Sequence, residues 1–444
     1  MGAVIMVNVA AIYSTLGNPD SLVPLLIKDS ASSAGMTAGS YITGKEEGQD
    51  RFIDEAGTEA IWLLGIPAYK EIYNKTIYKL FNLDSKFDVR NLKNKDILEK
   101  TKQYAPNDEI KLNIEKIAKK QQLTKNVAFY RFLASTGLAI ATYVGLTKLK
   151  HNFTEQKIRN NILKEYNQNQ EKDKKENTAS KSPSFKGVGT VVSDFAFSPV
   201  KNMWLMDGAI TTERLVDSRT PQEFTGYAIK EASLLLMLYY VGGKIQELCE
   251  KYANKKFNRS ILLDARVLEN KELQKSFEDG SILKSLEEFS KIKEKGDTAI
   301  YEFLHNNPDN HIVKYAKQSE IIKMYKQPKK WYEIFKKSEV TDKIDTREFI
   351  DLEDIKGVDK KLSTLYTQFQ DSIKKGETSD QFFKQVKKLK RHSINMNIGT
   401  SIFVLGILTP AIMVAKRLWK KDNAEFQTKS EIRKQMIEEG IIKA

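Results

Sequence analysis

The sequence predicts an all-α fold, an internally duplicated helical membrane protein with two pseudo-equivalent halves. Three observations carry this. Apolar residues recur at helical spacing along most of the chain, one polar signature is written twice, and two long runs carry no charge. Alternation of period two is not sustained over several segments, so a β-rich fold is not expected.

The repeat organises everything else. Residues 87–97 read FDVRNLKNKDI and residues 263–273 read LDARVLENKEL. At an offset of 176, Asp88, Arg90, Leu92, Asn94 and Lys95 match Asp264, Arg266, Leu268, Asn270 and Lys271, and Phe81-Asn82 match Phe257-Asn258. Upstream, Phe52, Ala56, Glu59 and Ala60 match Phe224, Ala228, Glu231 and Ala232 at an offset of 172. The growth of four residues is about one helical turn, which keeps a buried helix face in register. Downstream, Lys148-Leu149 and Arg417-Leu418 follow the second apolar run of each copy, with Ile158-Arg159 and Ile432-Arg433 beyond them. The expected organisation is a first copy at 1–165, a polar linker at 166–185 and a second copy at 186–444, lengthened by a helical insertion at about 285–391.

Taken in chain order, the apolar runs 60–69 and 232–243 stand beside Glu59 and Glu231. They are too short to cross a bilayer and are expected as core, re-entrant or interfacial helices. Asn94 and Asn270 read as N-caps, with Asp96 and Glu272 in the turn that follows. Phe132 to Thr147 is uncharged and extends back to Asn126 if Arg131 reaches the interface, which predicts a spanning helix at about 126–147. In the insertion, Ser281 to Lys295 and Val358 to Lys374 have apolar stripes, Asn306 to Asp309 forms a turn, and Pro328 closes the next helix. Thr378 and Gln381 have capping-box spacing. Ser393 to Ala415 is 23 residues without charge, ended by Lys416-Arg417, and predicts a second spanning helix at about 393–415. Lys clusters flank both runs on both sides, so orientation is not readable.

Charge narrows the partners. The net charge is +14, yet only 12 of 72 basic residues are Arg. Lys is a hydrated point charge suited to anionic surfaces such as lipid headgroups, whereas bidentate reading of bases relies on Arg. Membrane lipid is therefore an expected partner and a protein partner is compatible, but sequence-specific nucleic-acid binding is not expected. The single Cys249 excludes an intrachain disulfide framework, a cysteine-built zinc site and a CxxC pair. The start of the chain lacks the basic segment of a secretory signal, and Met6 breaks the myristoylation pattern.

No catalytic, cofactor or metal signature emerges. His151, His305, His311 and His392 lack metal-pair spacing and read as surface residues. The segment 351–354 lacks the acids and glycine of a calcium loop, and in GSYITGK at 39–45 Glu46 replaces the hydroxyl that a phosphate loop needs. Gly187-Val188-Gly189 follows no recognisable strand. The repeated Asp88/Arg90 and Asp264/Arg266 read as an extended lead into an Asn-capped helix, a structural pin rather than a ligand site. Glu59 and Glu231 read as first-turn acids rather than a proton relay. The leading expectation is a non-enzymatic, membrane-anchored scaffold or interaction protein with a basic helical surface. The rivals are a small transporter or channel component made of parallel repeats, and a cytoplasmic helical protein that binds anionic partners through Lys-rich faces.

Overall fold

Helices carry nearly all of residues 9–18, 21–169, 198–327, 339–420 and 429–443, the residues described in a computed structural model of the protein. The first half comprises α1 (Val9–Gly17), α2 (Leu22–Thr43), α3 (Lys45–Ala60), α4 (Ile66–Tyr73), α5 (Lys95–Gln103), α6 (Asp108–Lys119) and α7 (Gln121–Asn169). The second opens with α8 (Pro199–Val216), α9 (Pro221–Leu236), α10 (Gly242–Phe257), α11 (Ala265–Glu269) and α12 (Lys271–Glu278). It continues with α13 (Ser281–Lys293), α14 (Asp297–Asn306), α15 (His311–Gln318), α16 (Leu352–Lys374), α17 (Ser379–Phe403), α18 (Thr409–Lys420) and α19 (Lys429–Glu438).

Polar side chains start these helices. Asn94 accepts from the backbone N–H of Asp96 and Ile97, Asn107 from Ile110, Asn270 from Glu272 and Asp351 from Glu353. Thr378 and Gln381 bond reciprocally, side chain to backbone, as a capping box. Asn82 and Asn258 both take φ 52° just past a helix end, a left-handed position that asparagine tolerates better than most residues.

Three of the helical runs contain π turns, at Ile61–Gly65 and Asn74–Tyr78 in the first, Met237–Val241 in the second and Val404–Leu408 in the third. Pro67 and Pro410 each stand two residues beyond one of them. A proline lacks the N–H for the regular ladder and its ring meets the carbonyl four residues back, and a wider turn at that point relieves both conflicts. The apolar runs 60–69 and 232–243 are consequently not short separate helices, as their length had implied. They lie inside continuous helical runs from Lys45 to Tyr78 and from Pro221 to Phe257.

The chain divides into two compact units, each drawing on both halves of the sequence. The first unit takes Met1–Pro24, Asn74–Tyr130 and Gly243–Asn397. Its core is an ordinary apolar one in which Phe277, Phe369, Phe382 and Phe383 meet edge to face or tilted, with ring centroids 5.3–5.9 Å apart. Each such buried side chain contributes about 1.5–3 kcal/mol relative to exposure. The segment 285–391, expected to be helical, is not wholly so. Met324–Lys326 and Val340–Ile344 pair antiparallel with an irregularity in register, and Ile322 and Ile344 anchor this ribbon in the core. The helix before Pro328 ends earlier than predicted, at Gln318, and Pro328 lies outside the described residues. So do Gly187 to Gly189 and all of the expected linker beyond Asn169.

The second unit takes Leu25–Tyr73, Arg131–Gly242 and Ile398–Ala444. Apolar contacts here involve Leu25, Trp62, Ala139, Met206, Met237 and Leu405. The small residues of α2 let helices meet closely: a Cβ built at Gly35 would lie 2.2 Å from the carbonyl oxygen of Gly406, and one at Gly39 would lie 3.4 Å from Pro410 and Val414. Ile158 and Ile432 pack in a separate small cluster with Met436.

Gly35→Ala should therefore destabilise the protein by about 1–3 kcal/mol through overpacking, despite alanine's better helix propensity. Gly137→Ala, where an added Cβ meets nothing within 4 Å, should be neutral or stabilising. Thermal melts of the two variants in detergent check the contrast.

Candidate functional site: a buried ionic network

In the second unit, α3 turns its charges inward. Glu47, Asp50, Arg51, Asp54 and Glu55 recur at helical spacing and are buried, whereas Phe52 on the opposite face is 56% exposed against 1% for Asp54. The same inversion occurs on α9, where Glu223, Tyr227, Lys230 and Glu231 are buried while Phe224 and Leu236 are about half exposed. From α7 come Tyr143, Lys150 and Thr154, again at helical spacing, and from α8 comes Arg214, all buried.

These side chains close into one network with Asp54 at its hub. Arg214 Nη2 lies 3.0 Å from Asp54 Oδ2 and Lys150 Nζ lies 3.5 Å from Oδ1. Tyr143 and Tyr227 each donate a hydroxyl to Asp54 at 3.2 Å. Arg214 also donates to the Tyr143 hydroxyl at 2.8 Å and pairs with Glu231. Lys230 bridges Glu55 at 2.8 Å and Glu231 at 3.2 Å. Arg51 lies 3.7 Å from Glu55 and stacks 4.6 Å over the Tyr227 ring. At the other end, Arg219 holds Asp50 at 2.9 Å and Glu223 at 2.6 Å, and Thr154 donates to Asp50 at 2.6 Å.

Five carboxylates (Asp50, Asp54, Glu55, Glu223, Glu231) thus face five cations (Arg51, Lys150, Arg214, Arg219, Lys230). An ion removed from water carries a penalty of several kcal/mol, offset only when partners and hydrogen bonds are nearly complete. The balance of charge and the tyrosine hydroxyls meet that condition. Beside the network lies a void of about 10 Å³ bordered by Asp29, Glu55, Glu59, Asp207, Lys230 and Glu231, room for about one water. Glu59 Oε1 is buried and has no hydrogen-bond partner there.

The polar positions singled out by the repeat fall into two groups. Glu59 and Glu231 belong to this site. The expectation of first-turn acids is corrected, because α3 and α9 begin at Lys45 and Pro221, which places Glu231 inside α9 and Glu59 at the far end of α3. The other six lie in the first unit. Asp88 and Asp264 are themselves caps rather than a plain extended lead: each accepts from the backbone N–H two residues on, Arg90 at 2.9 Å and Arg266 at 2.8 Å, opening a short helical segment before the Asn-capped one. Arg90 folds back on Asp88, with Nη2–Oδ2 at 2.7 Å, and lies over Phe349, whereas Arg266 pairs with Glu320. Asn94 and Asn270 cap α5 and α12.

The histidines also depart from expectation. His305 stacks flat on Tyr104 at 4.3 Å, and burial pushes its imidazole down to about 4, so it is neutral at pH 7. His311 is half-buried, with Tyr315 and Ser281 hydroxyls 3.3 Å from its two nitrogens. Among the described residues no His, Cys, Asp and Glu side chains group as metal ligands.

Sequence reasoning missed Asp50, Arg51, Asp54, Glu55, Lys150, Arg214, Lys230 and their partners, although a signal was available. DRFIDE at 50–55 places acids and a base at spacings of three and four on one helix face, with Phe52 opposite. No family model, curated protein or solved structure matches this chain.

Two outcomes follow from these geometries. Arg214→Met strands Asp54 and Glu231 and should lower stability by about 3–5 kcal/mol in denaturation experiments, with an unchanged midpoint counting against the network as a structural element. In the first unit, Arg90→Ala keeps the backbone cap and should lose at most about 1 kcal/mol, whereas Asp88→Ala removes cap and pair together and should lose about 1–2 kcal/mol. Urea titrations of the two variants test that order.

Proposed function

We propose that the chain is an internally duplicated integral membrane protein whose second unit lies in the bilayer and relays protons through its ionic interior. The observation that carries this reading is the inverted polarity of that unit. Leu64, Leu138, Trp204, Leu236, Phe403 and Ile407 are more than half exposed, while the charges of α3, α8 and α9 are buried. In water the opposite arrangement is favoured, whereas a lipid-facing exterior wants apolar side chains outside and ions inside.

Two further observations agree. The helical runs Gln121–Tyr166 and Ser379–Lys416 each hold a window long and apolar enough to cross a membrane, and only 39% and 28% of those windows is buried inside the protein. A core helix of a water-soluble protein would be mostly covered. The small-residue contact of Gly35 with Gly406 is the kind of packing that lets helices associate when lipid offers no hydrophobic drive.

The duplication is supported by recurring local geometry. Asn82 and Asn258 share φ 52°, and the caps at Asp88 and Asn94 recur at Asp264 and Asn270. The helices 45–60 and 221–236 and the π turns that follow them also recur at 176, which sets Glu55 rather than Glu59 level with Glu231 and replaces the offset of 172 expected for that stretch. Carboxylates around a small void, with Glu59 unpartnered beside Lys230 and Glu231, are suited to passing a proton among them. One observation favours the scaffold reading instead: the ion pairs are closed and the void has room for about one water.

The test reconstitutes the full chain in liposomes carrying a pH-sensitive dye. An imposed gradient should dissipate, and Glu59→Gln should slow dissipation about a hundredfold or more, the contribution typical of a positioned proton-transfer group, without changing the melting temperature. Wild-type vesicles as tight as empty ones would favour the scaffold. Recovery of the chain in the soluble fraction without detergent, before any carbonate wash, would sink the membrane reading and leave the Lys-rich soluble one.

A further inference from the structure

The first unit holds a solvent-open cleft of about 550 Å³ whose walls come from distant parts of the chain. Lys86 precedes the Asp88 cap, Arg266 lies on α11, Lys317 on α15, Lys323 and Lys326 flank or belong to the first strand, and Arg347 follows the second. Against these six cations stand Glu320, Asp345 and Glu348, an excess of three positive charges. A neighbouring cleft of about 320 Å³ shares Lys86, Lys326 and Arg347 with it but also carries Asp84 and Glu109, so the positive excess is concentrated in the larger cleft.

Its two kinds of cation are arranged differently. The arginines are held in place: Asp345 accepts from Arg347 Nε at 2.8 Å and from Nη2 at 2.7 Å, and Arg266 is oriented by Glu320. The backbone N–H of Asp88 donates to the carbonyl of Arg347 at 2.9 Å, tying the two walls together. Lys86, Lys317 and Lys326, by contrast, have no carboxylate within ion-pair distance among the described residues. Burial holds the Lys317 ammonium below its usual range, so its charge is only partly satisfied by solvent.

We propose that this cleft binds a small phosphate-bearing anion. Three uncompensated positive charges match a pyrophosphate or a phosphorylated headgroup better than a single carboxylate, and ammonium-to-phosphate hydrogen bonds are charge-assisted. The volume lies within the range of small-ligand pockets, about 300–1,000 Å³. Met324 and Val340 supply an apolar patch for the carbon part of such a ligand. The guanidinium groups are already engaged with carboxylates, which leaves none free to read bases. The proposal does not depend on proton relay by the other unit.

Calorimetric titration of the full chain in detergent micelles with pyrophosphate is the direct test. Binding at about 1 mM or tighter is expected, weakened at least about tenfold by Lys86→Glu or by Lys317→Ala with Lys326→Ala. Lys291→Glu, an exposed lysine on α13 outside the cleft, should bind as the parent does. Dihexanoyl phosphatidic acid then separates the sources. Displacement of pyrophosphate assigns the site to a lipid headgroup, and failure to displace assigns it to a soluble phosphate ligand. No heat of binding at about 1 mM, or equal weakening by Lys291→Glu and the cleft variants, overturns the proposal.

Discussion

Asp54 sits where Arg214, Lys150 and Arg51 converge and where two tyrosine hydroxyls donate, and that convergence constrains every helix that reaches it. A carboxylate removed from water must find nearly all of its partners inside the protein. The rotation of α3, the facing side of α7 and the placement of α8 and α9 are thereby specified together, since a helix turned by about 100°, one residue's rotation, would remove its cation. Apolar side chains such as Trp62 and Met206 fill space in one cluster, but they tolerate substitution more readily than a hub of paired charges.

This constraint gives the two units different interiors. The first buries phenylalanine and leucine and surrounds them with Lys-rich helix faces, the ordinary solution for a chain in water. The second turns phenylalanine and leucine outward and buries its ions, and on the proposed reading lipid replaces water as the solvent for that exterior. Both units take chain from both halves of the sequence. Each half therefore supplies segments of two characters, and a proposed duplication of the whole pattern need not fold as two independent bodies.

The repeated signature also shows how matching residues diverge in use. Asp88 and Asp264 cap in the same way, yet Arg90 returns to its own aspartate while Arg266 reaches Glu320, next to the hairpin. The backbone function of the aspartate is local and survives changes around it. The partner of a long arginine depends on which carboxylates the surroundings supply, and Glu320 comes from the segment 285–391 that follows Arg266 in the chain.

The sequence by itself determined what depends on neighbours within a turn or two: the helical period, the caps at Asn94 and Asn270, the capping box at Thr378 and the two long uncharged runs. It also held the inward charge pattern of 50–55, but a charged stripe on a helix ordinarily faces water, so the stripe alone does not reveal burial. Tertiary structure decided that Glu59 and Glu231 lie far from the starts of their helices, that 60–69 and 232–243 continue through π turns instead of ending, and that residues 50, 150, 214 and 231 share one network. The reason is range. Helix starts and turns are set by hydrogen bonds a few residues apart, whereas an ion's burial depends on whether an opposite charge, here up to 175 positions away, arrives to meet it.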